Sequence, residues 1–318
     1  MRLAAAEQGG EVLLGSPVSL AVGRDGTVYV LDQMMGHVVR LHPSGATDVM
    51  GRRGAGPGEF MLPMTLAVDG DTLRVDDRGN RRIQVLTSAG TYVRSYPVPV
   101  RASASAAFGP GGLFIHELQG ASGRLAGILD NEGQEEGTVG DAPAAGAAAW
   151  NFRRIKEEID RGRVPDVLRN AVKPALGPDG AAWLVLTAEG RIERHDRGGG
   201  RSTAALRGPE TDGIRKQFFE RNRMERSPSA FYPLSLAADA AAIGEELWVL
   251  LRAPETAASV VLVYGRDAAL LRRWTFPDVR GARSLAPDPE RGKLHFAIPS
   301  DASILSIDLP SPSPRAHR

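Results

Sequence analysis

The chain repeats itself. A tract near the start, VYVLDQMMGHVVRLHPSG ending at Gly45, recurs as LRVDDRGNRRIQVLTSAG ending at Gly90 at a constant offset of 45 residues, so that Asp32 aligns with Asp77, Val38 with Ile83 and Leu41 with Leu86. A third copy, GPDGAAWLVLTAEGRIERHDRGG, matches GRDGTVYVLDQMMGHVVRLHPSG at an offset of 154 residues. Self-similarity with a period of a few tens of residues marks units that cannot bury their apolar faces alone and must pack against copies of themselves.

The remaining copies emerge when the short segment before each turn is put in register as VSLAV, MTLAV, ASAAF, VKPAL, LSLAA and RSLAP. An alanine recurs in each, at Ala21, Ala67, Ala107, Ala175, Ala237 and Ala286, and two residues earlier stand Ser19, Thr65, Ser105, Lys173, Ser235 and Ser284. Strand side chains alternate between faces, so this spacing places a small polar residue and an alanine on one face and a larger residue such as Leu20 or Leu236 on the other. Small against large lets neighbouring sheets interdigitate. The second strand carries its own column, Tyr29, Arg74, Phe114, Trp183, Trp248 and His295, flanked by apolar residues such as Val28 and Val30. Between the two strands lie GRDG, DGDT, GPGG and GPDG, the chemistry of tight hairpin turns.

Successive alanines are 46, 40, 68, 62 and 49 residues apart, so the two long intervals hold insertions, at about 141–169 and 208–231. Each has a helical core: Phe152, Ile155 and Ile159 share one face of the first, Ile214 and Phe218 one face of the second. Prolines, Pro165 and Pro228, mark where they stop.

Six units of short antiparallel strands predict an all-β fold, a six-bladed β-propeller with two short helical insertions, in which radial repetition leaves few exposed sheet edges. The 318 residues, with 37 Gly and 22 Pro, agree with one large domain of many short elements. The last copy has KLHFAI and ILSIDL but no fourth strand, so a strand within residues 2–14 is expected to close the ring. The domain is then 1–309, followed by a flexible tail at 310–318.

Residues 51–90, GRRGAGPGEFMLPMTLAVDGDTLRVDDRGNRRIQVLTSAG, closely resemble an NHL repeat, with its glycine-rich GPGEF linker, a proline before an LAVD strand and then an RIQV strand. Residues 17–45 and 171–199 look like weaker copies. The resemblance implies a six-bladed propeller that serves mostly as a recognition platform for proteins or RNA, with a minority of enzymes such as peptide-amidating lyases. A fold of this kind does not fix a function, which lives in its sites.

The absence of Cys removes disulfides, thiolate-ligated metals and a thiol nucleophile. The formal net charge of +1 offers no overall basic excess for a nucleic-acid coat. MRLAAAEQGG lacks the apolar stretch of a signal peptide, and no run reaches bilayer length, so a soluble chain is expected, cytoplasmic unless this start is itself a processed one. GRRGAGPGEF lacks the Lys-Ser or Lys-Thr of a phosphate-binding loop and reads as a blade linker. The histidines form no close pair at metal-ligand spacing; His295 reads as a wall-filling ring, and His37, in the loop between second and third strands, is the one that tempts a ligand role. The innermost strands hold no Asp, Glu, Asn or His in their polar column, which argues against a central metal, and no cofactor is indicated. Asp32 and Asp77 recur at strand ends as turn caps. No GxSxG element occurs. Lys173 breaks the hydroxyl column and is the second candidate for holding a small ligand.

The strongest signal lies in the insertions. Residues 150–163 carry +2 and residues 214–226 carry +3, leaving −4 on the rest of the chain. Arg153, Arg154, Arg215, Lys216, Phe219, Arg221 and Arg223 therefore present as candidate contacts. Both arms leave the ring between one blade's last strand and the next blade's first, and so on the same face. They either lie flat as lids or offer guanidinium groups to an acidic protein surface, anionic headgroups or RNA. Near-neutral total charge makes RNA the weaker choice. The leading expectation is a non-catalytic scaffold that binds another protein, as an accessory or assembly subunit of a larger, conceivably membrane-associated, complex. The rival is a lactonase- or lyase-like enzyme, or a small-ligand binder, using the central mouth.

Overall fold

The computed structural model describes all residues except 5–6, 9–10, 99–101, 119–122, 145–150, 228 and 311–318. Pro228 and nearly all of the expected tail therefore lie outside the described residues. Six four-stranded antiparallel sheets follow one another along the chain. The first blade is Pro17–Val22, Val28–Asp32, His37–Leu41 and Thr47–Met50, and the second is Leu66–Asp69, Thr72–Asp77, Arg82–Thr87 and Tyr92–Pro97. The third comprises Ala102–Phe108, Phe114–Leu118, Arg124–Leu129 and Glu135–Asp141; the fourth, Val172–Leu176, Ala182–Leu186, Arg191–His195 and Arg201–Ala205. Ala237–Ile243, Glu246–Leu251, Ala258–Tyr264 and Leu270–Arg280 form the fifth. In the sixth, Ser284–Asp288, Lys293–Ile298 and Ser303–Asp308 are joined by Arg2–Ala4, with Arg2 opposite Leu305 and Ala4 opposite Ile304. Each inner strand touches the inner strands of both neighbours, the sixth touching the first, so the ring is closed. The chain is a six-bladed β-propeller.

The alternation of side chains makes the core a series of layers between blades. Tyr29, Leu31 and Ala21 pack with Leu66, Leu73 and Val75 of the second blade, and on the far face Leu20, Val28 and Val30 pack with Ala286, Ala297 and Ile304 of the sixth. Trp183 and Val185 face the fifth blade in the same way, and Trp248 and Leu250 face the sixth. Phe114 departs from its expected column: it packs back against Ile83, Val85 and Tyr96 of the second blade, while Ile115 faces forward to Leu184 and Leu186. One residue decides the face of a strand, and here the aromatic residue marked the wrong one.

GRRGAGPGEF is a compact linker in which Arg52–Arg53 pairs with Glu59–Phe60. Phe60 is fully buried, and a Cβ on Gly51, where φ is +79°, would lie 2.5 Å from its ring, so glycine is required both by conformation and by space. The backbone N–H of Met61 donates to Asp77 Oδ1 at 2.7 Å, fixing linker to blade. Asp32 does the same in the first blade, accepting from the N–H groups of Gly15, Ser16 and Met35 at 2.7 to 2.8 Å.

Among the described residues three α-helices interrupt the pattern: α1 (Phe152–Asp160), α2 (Asp166–Arg169) and α3 (Pro209–Met224). Asn151 caps α1 by accepting from the Arg154 N–H at 3.0 Å. Pro209 opens α3, where its missing N–H is of no consequence. Ile155, Ile159, Leu168 and Phe218 turn inward and join the core between the fourth and fifth blades. Burying such a side chain stabilises by roughly 1.5–3 kcal/mol, which a helix this short needs in order to persist.

Candidate functional site

Both helical insertions lie flat on the propeller. The Phe152 ring meets Phe231 edge-on at 6.2 Å, and Lys156 Nζ donates to the backbone oxygens of Glu225, at 3.1 Å, and Ser227. The first arm is thus tied to the second. Arg215 Nη2 donates to Glu189 O at 2.7 Å in the loop after the fourth blade's second strand, and the same Glu189 pairs with Arg169 of α2. Asn222 locks the far end, exchanging hydrogen bonds with the backbone of Tyr232 at 2.8 and 3.0 Å.

The arginines and lysines picked out by the sequence therefore have different environments. Arg153 pairs with Glu157 at 3.1 Å, Arg154 with Glu158 at 3.4 Å and Asp166 at 3.0 Å, and Lys216 with Glu220 at 3.9 Å. Arg215 is half-buried and anchors α3 rather than facing outward. Arg221 stacks on the Tyr232 ring at 4.2 Å, and Arg223 lies 6.0 Å from the Phe219 ring, which itself packs edge-on against Phe218 at 5.0 Å. At this end of α3 Met224 is 71% exposed and Tyr232 38% exposed, with Arg226 beside them in solvent.

His37 is buried and its Nε2 lies 3.0 Å from Leu13 O, inside the first blade's contact with the N-terminal segment. Sequence placed it in a loop; it begins the third strand, and the structure does not bring it together with Lys173. His295 is buried in the sixth blade, neither ring nitrogen hydrogen-bonded among the described residues, and burial pushes its pKa down to about 4. Among the described residues no three His, Asp or Glu side chains gather as a metal-ligand set.

The inner column holds the main surprise. Ala21 is opposite Tyr29 and Ser19 opposite Leu31; Ala175 is opposite Trp183 and Lys173 opposite Val185; Ala286 is opposite His295 and Ser284 opposite Ala297. In the fifth blade, however, the residue opposite Trp248 is Ala241 and the one opposite Leu250 is Asp239. Asp239, not Ser235, fills the column, which corrects the expectation that no acidic side chain occurs there. A bulge between Ala237 and Asp239 sets this register. Ser235 lies before the strand and donates to Ala237 O at 2.8 Å.

Asp239 Oδ2 accepts from Ser284 Oγ at 2.7 Å and from the Leu285 N–H at 3.0 Å, both in the next blade. Partial burial disfavours its charge and raises its pKa, an effect that Lys173 of the preceding blade opposes through space, together with those hydrogen bonds. Lys173, Asp239 and Ser284 thus make a polar track across three blades.

A cleft of about 440 Å³ opens on the helix-bearing face, between α3 and the loops of the fifth and sixth blades. Arg221, Arg252 and Arg283 line it together with Tyr232, Gln217 and Glu255. Arg252 carries no repeat signal, but Arg283 opens RSLAP where the other five copies open on the apolar Val18, Met64, Ala104, Val172 and Leu234, a departure that could have marked it.

No known family model matches the sequence, and no curated protein matches it. Many solved structures share the architecture. A streptogramin B lyase is 16% identical with a TM-score of 0.53, the match covering 94% of this chain and 95% of that one. A catalytically inactive virginiamycin B lyase from Staphylococcus aureus with quinupristin is 14% identical with a TM-score of 0.52, covering 93% and 95%. A gluconolactonase from Xanthomonas campestris is 13% identical with a TM-score of 0.50, covering 93% and 87%. At such identities the likeness is one of fold. No helix among the described residues is long and apolar enough to cross a membrane.

Proposed function

We propose that this protein is a recognition propeller that docks another protein on its helix-bearing face. The observation that carries the reading is the far end of α3 and the segment that follows it, where Arg221, Arg223, Met224, Arg226 and Tyr232 are all exposed, Arg221 on the Tyr232 ring, over a backbone fixed from below. Arginine, tyrosine and methionine are the side chains enriched where proteins meet. A prefixed backbone reduces the ordering cost of association. The excess of positive charge favours a partner with an acidic surface and a salt-sensitive association rate. The likeness of residues 51–90 to an NHL repeat, a family of recognition platforms, supports the same class of function.

The test is isolation of the tagged chain from its native cells under gentle conditions, for the parent and for a variant combining Arg223→Glu, Met224→Asp and Arg226→Glu. A stoichiometric protein should accompany the parent and be lost from the variant, with the unfolding temperature unchanged. A partner retained by the variant, or a parent isolated alone, would sink the reading. Arg215 is left intact because reversing it would unseat α3.

A second reading, chemistry on a small molecule at the central mouth, is favoured by the Lys173–Asp239 juxtaposition, because a carboxyl with a raised pKa beside an ammonium suits proton transfer. Turnover of a lactone or similar ester that disappears in Asp239→Asn while the fold persists would support it.

A further inference from the structure

The cleft beside α3 is lined by three cations, Arg221, Arg252 and Arg283, and one carboxylate, Glu255. Arg252 directly follows the fifth blade's second strand, and its N–H is fixed to Leu236 O at 2.9 Å. Arg283 directly precedes the sixth blade's inner strand, with its N–H on Ala297 O at 3.0 Å. Arg221 comes from the third direction, on α3. Three guanidinium groups therefore converge from three elements whose backbones cannot easily withdraw.

Their counter-charges are few. Arg283 donates to the carbonyl oxygens of Ala253 at 3.4 Å and Ala282 at 3.2 Å. Its one carboxylate neighbour, Glu255, is 3.7 Å away with a side chain 67% exposed, and so contributes little in water. The Arg252 side chain has neither an ion pair nor a hydrogen bond among the described residues, although it shares the cleft with Arg283. Partial enclosure and the repulsion of Arg283 both weaken its hold on its proton. Elsewhere on the surface the arginines mostly pair with acids, as Arg124 does with Asp141 and Arg272 with Glu246. Beside these cations the lining is mixed, with Gln217 and Ser235 as well as Ile214 and the Tyr232 ring.

We infer that the cleft binds a small organic oxyanion, its carboxylate or phosphate head held in the forks of Arg252 and Arg283 and its apolar body laid against Ile214 and Tyr232. Both heads match the planar geometry of guanidinium, and an anion here relieves the repulsion between two fixed cations. Arg221, parked on Tyr232, closes the third side. The grip on the head does not depend on protein docking at the outer end of α3, because Arg252 and Arg283 lie outside the docking surface, although Arg221 and Tyr232 belong to both.

The probes are benzoate, phenyl phosphate, inorganic phosphate and neutral benzyl alcohol, titrated into the whole chain by calorimetry at low salt. One of the two aromatic anions should bind at one site, more tightly than inorganic phosphate, and benzyl alcohol should not bind measurably. Arg252→Ala and Arg283→Ala should each weaken binding about tenfold, and Arg161→Ala on α1 should leave it unchanged. Preference for phenyl phosphate would identify a phosphate ester as the natural head, and preference for benzoate a carboxylate. Conservative Arg252→Lys should restore only part of the affinity, because an ammonium lacks the fork. Absence of binding, equal binding of inorganic phosphate, or affinity that survives both alanine substitutions would overturn the inference.

Discussion

The junction between the first and second blades and that between the fifth and sixth are built on one plan with different chemistry. In the first, Ser19 reaches into the next blade and accepts from the Leu66 N–H at 3.2 Å, with Thr65 Oγ1 at 3.4 Å. In the second, Asp239 reaches forward to the Leu285 N–H and to Ser284 Oγ. The two pairs are equivalent atom for atom in the next blade: a hydroxyl from the column and the N–H one residue later. One junction uses a neutral hydroxyl and the other a carboxylate, and a cation, Lys173, stands one blade before the carboxylate. Repetition of the fold thus supplies the hydrogen-bonding geometry, while departure from the repeat supplies charge. The charged junction lies on the side of the ring that also holds His295 and the arginine cleft, whereas the first two blades bury their carboxylates, Asp32, Asp76 and Asp77, at the ends of their second strands.

That asymmetry is open to direct attack. The largest effect is expected at His295. Its pKa falls from 6.5 to about 4 on folding, so the folded state resists a proton that the unfolded state accepts. Stability from this source is complete above 6.5 and drains away as pH falls toward about 4. By urea denaturation the parent should lose about 3 kcal/mol more across this window than His295→Phe does, His116 contributing a loss of the same sign to both. Parallel curves for parent and variant between these pH values would show that burial does not hold the His295 ring neutral.

Next in size is Asp239→Ala, which strips the acceptor from Ser284 and Leu285 and should cost about 2 kcal/mol at neutral pH. Ser19→Ala, the matching change at the neutral junction, should cost about 1 kcal/mol by the same measurement. Equal losses at the two sites would mean that the charge adds nothing to the shared plan. The smallest effect on stability should come from Lys173→Met, whose main readout is the titration of Asp239 followed by NMR of its carboxyl carbon. Losing the cation should raise the Asp239 pKa further. Because a raised pKa confers stability that is lost as pH climbs through it, the variant's decline above the ordinary carboxylate range should be steeper than the parent's. An unmoved Asp239 titration would separate the two groups and reduce the track to a coincidence of position.

The site was less legible than the fold, for reasons that particular segments make plain. VYVLD and LRVDD state their strands and their capping aspartates in the clear, because a period of two and a repeated turn need no knowledge of distant residues. LSLAADAAAI does not. Its run of alanines satisfies the column at Ala237 as well as at Ala241, and only pairing with Leu250 and Trp248 selects Asp239. FRRIKEE showed its buried face through Ile155 and Ile159, yet the same pattern could not say that Arg154 would be matched by Asp166 or Arg215 by a backbone carbonyl.

Local periodicity by itself determined the six units, the strand faces in most of them and the two helices, since each is a statement about residues a few positions apart. Tertiary structure alone decided the register of the fifth blade and the meeting of Arg221, Arg252 and Arg283, which come together only when the ring places one blade beside the next. A bulge shifts a strand without changing its composition, and convergence of distant side chains is a property of the closed ring rather than of any stretch of the chain.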